Sequence, residues 1–190
     1  IYGTTPEEYK SLWRHYLALD TDYESINKNI IAATKSSHME KAVLYGDGIR
    51  ILRQEPWECV CSFIISQNNN IPRIRGCVEN TAKYYGVENE GYFAFPDVTA
   101  LRVATEEELS ERLHAGYRCR YIVNTCKQLI ENPVTVEILQ GMSVNDARKT
   151  LCSFMGVGGK VADCILLFSG VTADVFPVDV WVKRVMEELY

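Results

Sequence analysis

Leu151-Cys152-Ser153-Phe154-Met155-Gly156-Val157-Gly158-Gly159-Lys160-Val161-Ala162-Asp163-Cys164 is the stretch from which the rest of the chain is read. An apolar helix end runs into a glycine turn, and a second apolar helix starts at Lys160. The two-helix hairpin is placed at residues 143–169. The second helix presents free N–H groups and the positive end of its dipole, which suits a phosphate without basic side chains. Gly156, Gly158 and Gly159 are expected to supply positive φ and a close approach for a phosphate backbone. Many ordinary helix turns also carry two glycines.

Lys160 narrows the reading. A cation at a helix N-terminus is electrostatically disfavoured, and the dipole with partial burial would favour the neutral, nucleophilic amine. The plainer reading is a lysine snorkelling to a phosphate. Further on, Phe176-Pro177-Val178-Asp179 places an aspartate as N-cap of a final helix. A carboxylate held there stays ionised and can accept a proton or stabilise a sugar cation; capping alone would also explain it.

The bulk numbers set limits. With 190 residues, 47% of them hydrophobic, the chain can bury one core or form two helical lobes. No apolar run approaches the ~20 residues that span a bilayer, so no membrane partner is expected. Seven scattered cysteines, with no C-x-x-C, point to reduced thiols in a cytosolic or nuclear setting and argue against a zinc site. The net charge of −5 runs against a nucleic-acid binder, although local patches and helix N-termini can override an average. The chain starts without methionine and stops inside a helical pattern, as a fragment would.

Thr5-Pro6-Glu7-Glu8 opens a helix to about Leu17, with Tyr9, Leu12, Trp13 and Tyr16 as its expected buried stripe. A second helix covers Asp22 to Thr34, and Gly46-Asp47-Gly48 marks a turn. Pro56 to Gln67 is strongly apolar and reads as buried all round. It ends in Gln67-Asn68-Asn69-Asn70 before Ile71-Pro72-Arg73, which opens a helix to Tyr85. Capping chemistry explains such a turn, and amide side chains also read base edges. Thr105-Glu106-Glu107-Glu108 is a capping box, as is Ser143-Val144-Asn145-Asp146. Between them, Gly116-Tyr117-Arg118-Cys119-Arg120-Tyr121 opens a helix to about Glu131. There a tyrosine can wedge between bases while an arginine meets phosphate or a base edge. The bland alternative is a capping glycine, a core tyrosine and solvated arginines. No strand alternation appears, and the expected fold is all-α, with roughly ten short helices.

Residues 151–184, Ser66–Gly76 and Gly116–Tyr121, with Arg53-Gln54-Glu55-Pro56, closely resemble 8-oxoguanine DNA glycosylases/AP lyases of the helix-hairpin-helix superfamily. The resemblance implies excision of 8-oxoguanine opposite cytosine from double-stranded DNA, with strand cleavage by the same protein. Lys160 would attack C1′ and form a Schiff base, assisted by Asp179. Asn68 would fill the space left by the flipped base, Tyr117 would wedge the helix, and Arg73 and Arg118 would bond the widowed cytosine. Cys164 would line the base pocket, and the hairpin glycines would meet a phosphate. No cofactor is required by the resemblance. The carbonyls of Cys152, Phe154 and Val157 match the family's structural cation site.

A monomer is expected, nuclear in a eukaryote and cytoplasmic or nucleoid-associated in a prokaryote. Met155 stands where a proline is common, and Trp181 where eukaryotic relatives carry a histidine. The family's N-terminal β-rich lobe and last C-terminal helices are expected to be missing from this chain. Two alternatives stay open: a thymine-glycol or adenine glycosylase of the same superfamily, and a DNA-binding hairpin without catalysis.

Overall fold

Residues 3–189 are described by a computed structural model, in which helices supply almost all regular structure. The chain divides into two units, Ile1–Arg53 with Val178–Tyr190, and Gln54–Pro177. Helices are numbered α1 to α12 along the chain.

The first unit holds α1 (Pro6–Glu8), a π turn (Tyr9–Trp13), α2 (Arg14–Tyr16), α3 (Tyr23–Thr34), α4 (Ser37–Tyr45) and α12 (Val180–Leu189). Thr5 and Glu8 close a full capping box, with Glu8 N–H donating to Thr5 Oγ1 at 3.2 Å and Thr5 N–H to Glu8 Oε2 at 2.9 Å. The expected buried stripe is only half there: Tyr9 is 43% and Leu12 55% exposed, whereas Trp13 and Tyr16 are half-buried and their rings meet edge-on at 5.9 Å. Side chains tie this unit together instead. Arg53 Nη1 donates to both Asp20 carboxylate oxygens (2.9 and 3.0 Å), which holds that carboxyl below its usual range. Arg50 donates to Ala18 O at 2.8 Å while stacking over Tyr23.

The second unit contains α5 (Pro56–Ser66), α6 (Ile71–Tyr85), β1 (Glu88–Asn89), β2 (Tyr92–Phe93), α7 (Glu106–Leu113), α8 (Arg118–Glu131), α9 (Val136–Gln140), α10 (Val144–Cys152) and α11 (Gly159–Phe168). Apart from Ala18, the buried apolar residues all lie here. Helix α5 is the hub. Trp57, Val60, Cys61, Ile64 and Ile65 pack with Cys119, Ile122 and Cys126 of α8 and with Val161, Ala162, Ile165 and Leu166 of α11. Complete burial of each isoleucine contributes about 2–3 kcal/mol. The burial is not all-round: Pro56, Glu58, Ser62, Phe63 and Ser66 are only half-buried, and the Phe63 ring lies beside Phe168 and Lys160 of α11. Trp57 satisfies its indole N–H on Pro96 O at 3.1 Å.

Three short elements escape sequence reading: α4, α9 and the hairpin β1–β2, whose two-residue strands are too short for alternation to show. Glu90 and Gly91 both take positive φ in the hairpin turn, as a tight two-residue connection requires. Among the described residues no helix is long and apolar enough to cross a membrane.

No disulfide joins any of the seven cysteines. Burial pushes the Cys59 thiol up to about 12, and raises those of Cys61, Cys77, Cys119 and Cys126, whereas Cys152 is exposed. Since the thiolate is the reactive form, iodoacetamide on the native protein at mildly alkaline pH is expected to add one group, on Cys152. Intact mass after labelling measures this, and a native protein carrying several adducts would contradict the packing described.

Candidate active site and nucleic-acid interface

The hairpin is built by α10 and α11. Arg148 Nε donates to Asp163 Oδ1 at 2.6 Å and locks the two helices side by side. Ser143 caps α10 by accepting from Asp146 N–H at 3.2 Å, but the reciprocal bond of a capping box is missing. Instead the Ser143 hydroxyl donates to the Asp146 carboxylate at 2.7 Å, an aspartate being too short to reach back to the cap's N–H. At the turn, Val157 N–H bonds Phe154 O at 3.1 Å, and the Phe154 and Val157 side chains are buried.

The three glycines do different things. Gly156 has φ +84°, and a Cβ on it would lie 2.4 Å from Cδ2 of Tyr121, so both conformation and space exclude a side chain. Gly158 and Gly159 keep ordinary φ, and a Cβ added at either would meet nothing within 4 Å. The positive-φ expectation therefore holds at Gly156 alone. What Gly158 and Gly159 do is leave the α11 N-terminus uncovered, with its N–H groups open to a ligand.

Lys160 sits at the second position of α11 and is exposed, so the expected partial burial is not present. Its Nζ lies 5.6 Å from the centroid of the Phe63 ring, a cation–π contact. Cys164, one turn on, is buried at 3% exposure.

The asparagine run separates into two kinds of residue. Asn70 caps α6 by accepting from Arg73 N–H at 3.0 Å, and Asn69 donates to Ile65 O at 3.0 Å, closing the end of α5. These two are turn chemistry. Asn68 is exposed, takes positive φ (45°), and its amide makes no hydrogen bond among the described residues.

Arg118 is the unexpected member. It is 3% exposed, and its guanidinium donates to Gln67 O through Nε (2.9 Å) and Nη2, to Asn68 O (2.8 Å) and to Ala115 O (3.1 Å). It is not a solvated arginine: it clamps the asparagine loop. These bonds use four of its five N–H donors. Tyr117 is half exposed, with the Arg118 guanidinium 4.5 Å from its ring centroid and the Tyr121 ring edge-on at 5.5 Å. Arg73 is exposed and reaches His114 O at 2.9 Å. His114, in the left-handed region, ends α7 where a glycine would be the usual choice. The second unit thus brings Asn68, Arg73, Tyr117, Arg118 and the hairpin into one hydrogen-bonded and stacked group.

Sequence reasoning missed Gln67. Its Nε2 donates to Gly156 O at 2.7 Å while its own carbonyl receives Arg118. A single glutamine after an apolar helix carries no pattern that marks it. It also missed Thr125, one turn after Tyr121 on α8, whose hydroxyl donates to Met155 O at 3.4 Å.

Asp179 belongs to the first unit. Its Oδ1 accepts from Trp181 N–H (2.9 Å) and Val182 N–H (2.8 Å), making it the cap of α12. Oδ2 receives no hydrogen bond from the described residues. Trp181 is exposed and stacks on Arg184 at 4.9 Å. No group of three or more His, Cys, Asp or Glu could hold a metal among the described residues. Carbonyls of the 152–157 turn offer only neutral oxygen donors, which suit a hard cation and not a transition metal.

Residues 61–190 match the family described as HhH-GPD superfamily base excision DNA repair protein. The chain belongs to this superfamily. Residues 2–60 match the family described as 8-oxoguanine DNA glycosylase, N-terminal domain, and among the described residues this HhH-GPD chain is helical there, with no strand. An N-glycosylase/DNA lyase of Saccharomyces cerevisiae is 35% identical over 92% of the chain and 50% of its own length. A probable N-glycosylase/DNA lyase of Methanothermobacter thermautotrophicus is 33% identical over 75% of the chain and 53% of its own length. The structure of Clostridium acetobutylicum 8-oxoguanine glycosylase/lyase, in complex with double-stranded DNA containing cytosine opposite 8-oxoG, superposes with a TM-score of 0.90. It is 40% identical over 100% of the chain and 65% of that structure. The chain spans about half the length of these curated relatives.

The hairpin glycines generate a paired expectation. Gly156→Ala should lower stability by about 1–3 kcal/mol through backbone strain and the Tyr121 contact. Gly159→Ala should leave stability unchanged or raise it by up to about 1 kcal/mol, while weakening duplex DNA binding. Thermal unfolding and fluorescence anisotropy read the two effects, and equal behaviour of the variants would contradict the assignment.

Proposed function

We propose that the protein excises 8-oxoguanine opposite cytosine from double-stranded DNA and then cleaves the strand as an AP lyase. The observation that carries the reading is Lys160, exposed on α11 behind two glycines that leave the helix start uncovered. A non-catalytic hairpin would need the glycines and no lysine. The relatives named for N-glycosylase/DNA lyase activity support the same choice.

The residues divide the work as follows. The α11 N-terminus and the hairpin turn hold a DNA phosphate by N–H groups, which explains how an acidic chain can bind an acidic polymer. The carbonyls of Cys152, Phe154 and Val157 would hold a structural cation, whose charge would reinforce this contact. Asn68 and Tyr117, both exposed, enter the helix where the damaged base leaves, and extrusion costs a few kcal/mol that such contacts offset. Arg73 bonds the widowed cytosine, and Arg118 joins it once released from Gln67 and Asn68. The extruded base passes beside α11 at Cys164.

Lys160 must first leave Phe63 and lose a proton; the cation–π contact it gives up is worth about 0.5–1 kcal/mol at an exposed site. Its amine then forms a bond to C1′ while the glycosidic bond breaks and the base departs, taking a proton. Ring opening converts the adduct to a Schiff base, and loss of the C2′ proton expels the 3′ phosphate. Asp179, with Oδ2 unencumbered, activates the amine and stabilises cationic character at C1′.

Lys160→Gln is expected to abolish both excision and borohydride-trapped adduct on duplexes with 8-oxoguanine opposite cytosine; undiminished trapping would sink the reading. Asp179→Asn should slow single-turnover excision by about 10²-fold or more with DNA affinity nearly intact. A large loss of affinity would instead make Asp179 only a cap. Arg73→Ala should reduce preference for cytosine over adenine opposite the lesion by about tenfold, measured as the ratio of excision rates. Excision of thymine glycol but not 8-oxoguanine would move the protein to another branch of the superfamily.

A further inference from the structure

We propose that Gln67 is a positioning residue that couples opposite-base recognition to the catalytic hairpin, a role that rests on the lysine chemistry proposed above. Gln67 ends α5 in extended conformation (φ −62°, ψ 126°), so its carbonyl and side chain reach different neighbours. Its carbonyl accepts the buried Arg118 guanidinium through Nε and Nη2. Its Nε2 donates to Gly156 O at 2.7 Å and more weakly to Ile64 O at 3.3 Å. Gly156 is the positive-φ residue of the hairpin turn, and Gly158, two positions on, is the N-cap of the helix that carries Lys160.

The contacts form one chain from the base-pair side to the nucleophile. Arg118 holds Asn68 O and Ala115 O as well as Gln67 O, so it cannot move toward a base without releasing the Gln67 carbonyl. The Gln67 main chain then shifts, and Nε2 transmits the shift to Gly156. Close packing leaves that glycine little freedom, since Tyr121 lies directly against it. An apolar side chain of the same length at position 67 would fill the space without transmitting anything.

The test is borohydride trapping of the protein on abasic DNA, with the abasic site opposite cytosine, opposite adenine, and in a single strand. Wild-type protein is expected to trap faster opposite cytosine than opposite adenine by about tenfold. Gln67→Met should collapse that ratio to within about twofold, while single-strand trapping stays within about twofold of wild type. Gln67→Glu, which keeps the shape but cannot donate to Gly156 O, should behave the same way. A wild-type ratio in either variant overturns the proposal. So does a fall in single-strand trapping as large as that on duplex, which would mean general loosening of the hairpin. Wild-type protein that forms no adduct on any substrate would overturn the lysine chemistry itself, a failure separate from either of these.

Discussion

The clamp of Arg118 on main-chain carbonyls is the interaction on which the arrangement depends. A guanidinium carries five N–H donors and is always charged, so burial is tolerable only where acceptors meet it. Here the carbonyls of Gln67, Asn68 and Ala115 do so. The carbonyl of Gln67 lies at the end of α5 and would otherwise lack a partner. The bonds also fix Asn68 in the left-handed region that asparagine tolerates and most residues do not. One helix face does the rest. Arg118, Tyr121 and Thr125 recur at helical spacing on α8; the first holds the asparagine loop, the second packs on Gly156 and the third bonds Met155 O. A core helix thus sets the asparagine loop and the hairpin turn, which are 89 residues apart in sequence at the Gln67–Gly156 contact.

On the proposed function, that construction answers the charge problem. A chain with net charge −5 does not attract DNA as a whole. The hairpin instead offers uncapped N–H groups at α11, freed of side chains by Gly158 and Gly159. Fixed dipoles of this kind need no counter-charge and lose no side-chain entropy when a phosphate binds. Basic side chains add to this at Arg73 and Lys160, both exposed.

Much of the fold could be read from residue patterns with a local cause. The capping box at Thr105 closes as expected, and the helix start read at Thr5 closes as a box as well, because a threonine and a glutamate three residues on have the reach to satisfy each other. The Ser143 box fails because aspartate is one methylene shorter. Helix α5 was legible because six of its residues have nowhere to go but the core. The aromatic stripe at 9–16 was half legible: Trp13 and Tyr16 are half-buried, whereas Tyr9 and Leu12 are exposed, and periodicity alone does not say how much of a face its neighbours cover. In the candidate site, the lysine and glycines stood out because a cation at a helix start and a glycine in a tight turn are features of local sequence alone. Arg118 was recognisable as a member and misjudged in its setting, since burial of a charge depends on carbonyls from residues far away in sequence. Gln67 was named with the asparagine run and given no role, for the same reason. Its role exists only when α5, α8 and α10–α11 are packed.

Identifying the residue that carries the sugar after reduction gives the most direct measurement. The protein is incubated with duplex DNA holding 8-oxoguanine opposite cytosine in borohydride, digested, and mapped by mass spectrometry. A deoxyribose remnant on Lys160 alone, with none on Lys149 or Lys183, is the expected result. An adduct on another lysine, or on the N-terminal amine, would show that the hairpin lysine is not the nucleophile.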